Sequence, residues 1–228
     1  MITIVGGTGF IGKELSKKLV NAKVLGSKDL NIYNYNEVYN ALIGSKCVIH
    51  LASLKSVIEC ENNPIEAIKI NIIGTRNIID VCEKLNVKKI IYTSSIKGPD
   101  TILGITKIAS EKLFNDNYSI IKVPNIIDEL LNNFRNQLRM SNEIKITHEE
   151  VKRKFISLQQ IIDIIIEEIE EKSNRIIEPK TSVIKIINIA KALTNNIKII
   201  GLKKGETLEF FNEDELSEEE TKSFIQRR

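Results

Sequence analysis

The sequence predicts an α/β chain built on a doubly wound parallel sheet, and three observations carry that reading. The chain opens on a short apolar run, Ile2-Thr3-Ile4-Val5, which passes at once into Gly6-Gly7-Thr8-Gly9-Phe10-Ile11-Gly12. Ile11, Leu15 and Leu19 then recur every four residues, as on one face of a helix. Buried-type strands and helical stretches go on alternating through the first half of the chain. Such alternation calls for right-handed crossovers and a parallel sheet.

Strand, glycine turn and helix together give a G-x-x-G-x-x-G spacing its meaning. Gly6 allows the tight turn, Gly9 lets backbone approach a pyrophosphate, and Gly12 lets the helix pack close to its strand. The free N–H groups and positive dipole end of that helix then face the phosphates. Gly6, Thr8, Gly9, Phe10, Ile11 and Gly12 are the expected cofactor contacts of a Rossmann-like dinucleotide site. The alternative is a purely structural glycine turn.

Lys23-Val24-Leu25 reads as the second strand. An NAD-preferring site carries an acid at its end to hold the ribose hydroxyls. Here Gly26-Ser27-Lys28 follows, and a hydroxyl and a cation suit a 2′-phosphate. Ser27 and Lys28 therefore point to NADP, with NAD kept open by Asp29, a competing acid. Cys47 to Leu51 is a buried-type strand. Leu51, Ala52 and Ser53 at its end let a cofactor lie across it, and His50 within it reads as structural. Ile68, Ile72, Thr75, Ile79 and Cys82 mark one core face of a helix. Asn71 lies beside that face, with its amide expected in the site.

Lys89 to Ser95 is a strand ending in hydroxyls, and Gly98-Pro99-Asp100 turns the chain. A helix opens at Leu103 to Lys107 and runs to about Phe114, and Ser119 to Val123 is a further strand. Beyond Pro124 the pattern loosens. Glu129 to Met140 reads as a helix and Ser141 to Arg153 as a polar, substrate-side loop. Leu158 to Glu171 reads as a helix with core positions Ile161, Ile162, Ile165 and Ile169. Short strands are expected at Arg175 to Glu178 and Ile197 to Ile200, around a helix near Ile187 to Leu193. The acidic stretch Glu213 to Glu220 reads as a solvated helix or frayed tail. The expected organisation is a dinucleotide-binding domain over 1–123. A small C-terminal, substrate-side subdomain over 124–228 follows, part of which returns to the first core.

Composition narrows the function. A chain of 228 residues with 42% apolar content can build one large domain or one domain with an appendage. A net charge of +3 with no basic block gives no argument for nucleic acid. Cys47, Cys60 and Cys82 are scattered and odd in number, which suggests reduced thiols and a cytoplasmic location. The chain opens on a core strand rather than a signal peptide. No apolar run approaches the roughly 18 residues of a membrane span. No metal is expected.

Six stretches, in order, resemble the extended short-chain dehydrogenase/reductases of the NAD-dependent epimerase/dehydratase family. They are most similar to the UDP-N-acetylglucosamine 4,6-dehydratases, 5-inverting type, of polysaccharide biosynthesis. His50-Leu51-Ala52-Ser53-Leu54-Lys55-Ser56-Val57 resembles H-A-A-A-L-K-H-V. Asn62-Asn63-Pro64 to Asn71-Ile72-Ile73-Gly74-Thr75 resembles N-P…N-x-x-G-T. Ser94-Ser95-Ile96-Lys97-Gly98 stands where the group has S-T-D-K-A. Thr106 to Phe114 is similar to T-K-x-x-x-[ED]-K-[LV]-F. Thr147 to Leu158 resembles a segment ending M-T-R-F and a strand, with Arg153 at the Arg. Gly205-Glu206-Thr207-Leu208 is similar to G-E-K-L.

The resemblance implies oxidation of a UDP-sugar at C4, loss of water across C5–C6 and return of the hydride. It implies that Lys107 holds the nicotinamide ribose, Ser95 bonds the C4 oxygen and Lys97 is the acid/base. Otherwise Lys97 is a solvated loop cation. It implies substrate contacts at Lys55, Lys122, Asn125, Arg153, Lys203 and Glu206, and a homo-oligomer. The departures bear on the chemistry. Leu103 stands at the Tyr of Y-x-x-x-K and Ile96 at the Asp of S-T-D-K. Lys122-x-Pro124-Asn125 replaces R-x-G-N, and two loops look shortened. A catalytically degenerate cofactor-binding homologue, and a deoxysugar reductase or epimerase, are the alternatives.

Overall fold

A computed structural model gives the architecture. It describes residues 1–96, 98–114, 118–206, 208–209, 211 and 213–226. In chain order the elements are β1 (Ile2–Val5), α1 (Phe10–Lys18), β2 (Lys23–Leu25), α2 (Tyr35–Leu42), β3 (Cys47–His50), α3 (Val57–Asn62) and α4 (Pro64–Ala67). A π-helical stretch, Ile68–Gly74, leads into α5 (Thr75–Lys84), β4 (Lys89–Ser95), α6 (Ile102–Glu111), β5 (Ser119–Val123) and β6 (Asn125–Ile126). Then come α7 (Ile127–Ser141), β7 (Ile144–Ile146), β8 (Lys152–Ile156), α8 (Leu158–Glu170), β9 (Ile176–Ile177), β10 (Ser182–Lys185), α9 (Ile186–Lys191), β11 (Ile197–Ile199) and α10 (Glu218–Gln226).

The chain divides into two compact units. The first is Met1–Val123 with Gln159–Pro179. Its sheet has six parallel strands in the order β2-β1-β3-β4-β5-β9. Chain order reverses between β1 and β3, so the crevice beyond their C-terminal ends is the topological switch point. Val5, Leu25, Val38, Leu42, Val48, Ile78, Ile79 and Ile90 form one buried core against the sheet. The strands read as near-continuous apolar runs because helices cover the sheet. Asn34 caps α2, its Oδ1 accepting from the Asn36 and Glu37 N–H groups.

Two expectations in this unit need correction. Ile68 is 41% exposed and Asn71 is buried, the reverse of the expected face. The α-helical count assumes 3.6 residues per turn. The π stretch puts more residues in each turn, and the face before Thr75 rotates accordingly. In α8, Ile161, Ile162 and Ile165 are buried as expected, but Glu168 joins them at 0% exposure while Ile169 is only partly covered.

The second unit is Pro124–Leu158 with Lys180–Arg228. The strands β10-β8-β6 form one sheet, antiparallel between β10 and β8 and parallel between β8 and β6. β7 and β11 pair in parallel as a separate ribbon. Ile127, Leu131, Phe134, Ile144, Ile146, Phe155, Ile184 and Ile189 make its core. The stretch 141–153 is therefore no continuous loop. Ile144 and Ile146, alternating with exposed Lys145, bury one side of β7. α7 ends where Asn142 takes a left-handed conformation (φ 52°). The acidic stretch is tied down as well as solvated: Glu213 meets Lys154 and Glu215 meets Lys152. No helix among the described residues is long and apolar enough to cross a membrane.

Candidate functional site

The first unit holds most of the expected residues, and its glycine turn follows β1 at the switch point. Gly6 has φ +85°, and a Cβ there would meet Ala52 N at 2.5 Å, so the turn after β1 and the segment after β3 touch through backbone alone. A Cβ on Gly12 would meet Gly7 Cα at 2.5 Å, which is why α1 can press against the turn. Gly9 differs. A Cβ there would approach only Gly6 O, at 3.2 Å, and open space lies on its other side. Gly9 is also the N-cap of α1, and no side chain caps that helix. The first-turn N–H groups, beginning with those of Phe10 and Ile11, are therefore free of a side-chain acceptor, and this end of the dipole suits an anion.

After β2 the chain turns through Gly26 to Asp29. Asp29 Oδ2 accepts from Gly26 N at 2.8 Å, and Asp29 N donates to Gly26 O at 3.0 Å. One carboxylate oxygen of the competing acid is thus tied into its own turn, while Ser27 and Lys28 are exposed. Thr8 packs on Gly26, where a Cβ would meet Thr8 Cγ2 at 2.5 Å. No side chain, acidic or otherwise, fits at position 26 while Thr8 holds that place.

Asn71 clamps the segment that carries Leu51, Ala52 and Ser53. Its Oδ1 accepts from Leu54 N at 2.7 Å, and its Nδ2 donates to Leu54 O at 3.1 Å and to Thr106 Oγ1 at 3.0 Å. Thr106 Oγ1 donates in turn to Leu103 O. Ser110 Oγ lies 2.6 Å from Asn71 O and 2.7 Å from Thr106 O. The structure therefore places the Asn71 amide on protein partners, tying the end of β3 to α6. Lys55, next along, is exposed.

Lys107 is buried on α6. Its Nζ donates to Thr93 O at 2.9 Å and lies 4.9 Å from the Tyr92 ring centroid. Burial lowers its pKa to about 8, opposed by Glu111 one turn on. His50 is wholly buried, its Nε2 2.9 Å from Thr75 Oγ1 and its Nδ1 without a partner. Burial, then Lys107, lowers its pKa to about 3, so it stays neutral at working pH. Tyr92 stacks on Phe114 and meets the His50 ring at a tilt. Burial raises its phenol well above the ordinary range, opposed in part by Ser110 and Thr75 beside its hydroxyl. Leu103 is buried with Cys60 and Ala67.

Ser95 ends β4, half-buried and opposite Val123 in register. Lys97 lies outside the described residues. Lys122, opposite Ser94 on β5, pairs with Glu178 at 2.8 Å, and that bond raises its pKa. Two residues that sequence reasoning left without a role enter here: Ser94 donates its hydroxyl proton to Glu111 Oε1. The signal was present, since Glu111 follows Lys107 at the one-turn spacing.

In the second unit Asn125 Nδ2 donates to Lys154 O at 3.1 Å. Arg153 is buried, with Nη1 on Lys152 O at 2.7 Å and Nε 3.4 Å from Glu209 Oε1. Lys203 and Glu206 close a turn on each other, through Lys203 N to Glu206 Oε2 and Glu206 N to Lys203 O. No cluster of His, Cys, Asp and Glu able to hold a metal occurs among the described residues.

Comparisons with known proteins agree on the kind of molecule this is. The family model described as polysaccharide biosynthesis protein matches residues 30–227. The UDP-N-acetylglucosamine 4,6-dehydratase (inverting) of Campylobacter jejuni subsp. jejuni serotype O:23/36 is 32% identical over 251 residues, covering 91% of this chain and 75% of that protein. Among solved structures, Pen from Bacillus thuringiensis matches with a TM-score of 0.88 at 23% identity, over 99% of this chain and 96% of that one. The Thermus thermophilus UDP-glucose 4-epimerase, solved as a complex with NAD, matches with a TM-score of 0.79 at 13% identity, over 98% and 92%. These two structural likenesses are likenesses of fold.

Proposed function

Since the chain belongs to the polysaccharide biosynthesis protein family, we propose that it binds a nicotinamide dinucleotide at the glycine turn. We propose further that it acts on a nucleotide sugar as an NAD(P)-dependent dehydratase or epimerase. The observation that carries this is the uncapped start of α1 at the switch point, with open space beside Gly9 and buried Lys107 in the same unit. NADP is the favoured cofactor, because Ser27 and Lys28 are exposed while one Asp29 oxygen is held by Gly26 N. The substrate class is a UDP-N-acetylhexosamine, by similarity to the Campylobacter dehydratase.

A bound nicotinamide supplies hydride acceptance from the sugar C4 and its later return. The chain's own residues do the rest. The first-turn N–H groups of α1 receive the pyrophosphate, and Lys28 reads the 2′-phosphate. Lys107 presents an ammonium to the nicotinamide ribose. Ser95 holds the C4 oxygen, and Lys97 moves the proton. Lys122, on β5, supplies charge for a sugar diphosphate. The purified protein, incubated with NADP and UDP-N-acetylglucosamine, should give a dehydrated product by mass spectrometry.

A second reading rests on Leu103. It fills the tyrosine position with an apolar side chain packed on Cys60 and Ala67, so no proton acceptor stands there. A protein that binds NADP and turns over no sugar nucleotide would be a regulatory or subunit homologue.

A further inference from the structure

Buried Lys107 needs a partner that steadies its charge, and among the described residues the groups around it are few. Cys60 faces it from α3, His50 from β3 and Tyr92 from β4. His50 is neutral, and burial holds the Cys60 and Tyr92 protons on. Glu61 of α3 is engaged with Ile102 N at the start of α6. That leaves Glu111, on the same helix as Lys107 and four residues on, a spacing that puts both on one helix face, and its charge reaches Lys107. The Ser94 hydroxyl fixes its carboxylate from β4. Lys122, beside Ser94 on β5, and Tyr92 also feel that charge.

We propose that Glu111, locked in place by Ser94, is the positioning residue for Lys107, keeping the buried ammonium charged and aimed at the cofactor. The inference deepens the nucleotide-sugar reading and rests on it for the role of Lys107. Two adjacent elements build the device. β4 supplies Ser94, and through Thr93 O the acceptor for Lys107 Nζ, while α6 supplies both charged groups. Strand and helix therefore fix acid and base relative to each other by backbone, without a long flexible tether. This suits a site whose usual phenol is absent, because the lysine charge is then the main electrostatic resource left beside the strand end.

The test follows the Lys107 side-chain resonance against pH in protein labelled with 13C-lysine, assigned by its loss in Lys107→Arg. No cofactor or substrate is added. Wild type should titrate near pH 8. Glu111→Gln should lower the midpoint by about one pH unit, because an opposite charge is removed from a poorly solvated site. Ser94→Ala, which keeps the carboxylate but frees it, should lower the midpoint by a smaller amount. An unchanged midpoint in folded Glu111→Gln, or in Ser94→Ala, overturns the proposal. Absent turnover on any sugar nucleotide would count against the proposed function alone, and an unchanged midpoint in an active enzyme against this inference alone.

Discussion

Lys89 Nζ lies 2.9 Å from Glu168 Oε1, with the glutamate wholly buried and the lysine nearly so. Ser119 Oγ donates to the same oxygen at 2.6 Å, and Arg175 Nε meets Oε2 at 3.0 Å. Lys89 also donates to Glu171 O and Ser173 O. These bonds fasten the C-terminal end of α8, and the chain leading to β9, onto the first residues of β4 and β5. Removing one partner strands the others in the interior. Glu168→Ala should cost about 3–5 kcal/mol of stability in urea unfolding. Burial pushes the Glu168 carboxyl up, but Ser119, Lys89 and Arg175 together hold it below its usual range. A lowered carboxylate pKa adds stability above the unfolded value of about 4.3, lost as pH falls further. Wild type should weaken below that pH more steeply than Glu168→Gln.

Asn71 should behave as a clamp. Asn71→Ala leaves Leu54 N, Leu54 O and Thr106 Oγ1 without their partner. Each unpaired group in a covered site costs about 1–3 kcal/mol. The expected outcome is a lower melting temperature together with weaker NADP binding, since the segment carrying Ala52 loses its anchor. Asn71→Asp should be no milder, because a carboxylate cannot donate to Leu54 O. Calorimetric binding beside thermal melts would check both effects.

Cofactor choice is testable at the Gly26–Asp29 turn. Lys28→Ala should weaken NADP binding about tenfold, an ordinary loss of about 1.4 kcal/mol, with NAD affinity nearly unchanged. Equal loss for both would show that Lys28 does not read the 2′-phosphate. Gly26→Asp should not convert the protein to NAD preference, because Thr8 occupies the space its side chain needs. Gly9→Val should abolish both affinities, its branched side chain standing where the pyrophosphate belongs.

Much of the first unit was legible because its signals are local. A strand, a glycine turn and a helix lie within residues 2–18, and each later strand is a short apolar run bounded by turns. The π stretch was not, since counting at 3.6 residues per turn buries Ile68 and leaves Asn71 beside the core. Glu168 was missed because an acid on a helix reads as solvated until the cations around it are known. They come from Lys89 and Arg175, outside that helix. β7, β8 and β10 are three to five residues each and carry lysines on their open side. Such strands are specified by pairing partners far apart in sequence, and the polar residues between them hide the pattern. Glu111 was visible as a spacing, but its lock on Ser94 exists only in the fold.

The role proposed for Lys107 predicts a pH dependence of NADP binding. Its pKa is lowered to about 8, by burial first. The charged form is the one that donates to a ribose, so NADP affinity should fall as pH rises through about 8. Lys107→Arg stays charged throughout and should bind more weakly but with no such midpoint. Fluorescence titration of NADPH between about pH 6.5 and 9, values bracketing that midpoint at about 1–1.5 units either way, would separate the two curves. A flat wild-type curve would mean that the ammonium does not touch the cofactor.

The chemistry itself turns on Leu103. It stands one helical turn before Lys107, buried on Cys60 and Ala67, and can neither take nor give a proton. Tyr92, the phenol beside Lys107, is no substitute, because burial holds its proton on and its hydroxyl points among Ser110 and Thr75. The proposed reading therefore gives the proton to Lys97, with Ser95 on the C4 oxygen. Lys97→Ala should remove turnover and keep NADP binding, whereas Lys107→Ala should weaken both. Leu103→Tyr forces a larger ring against Cys60 and Ala67, at about 1–3 kcal/mol of stability. In an active enzyme its product should either stay the same or shift toward that of tyrosine-bearing relatives. Turnover that survives Lys97→Ala would refute that assignment of the base and leave the family standing. Wild-type protein that binds NADP yet converts no UDP- or dTDP-hexose would argue instead for the catalytically degenerate cofactor-binding homologue.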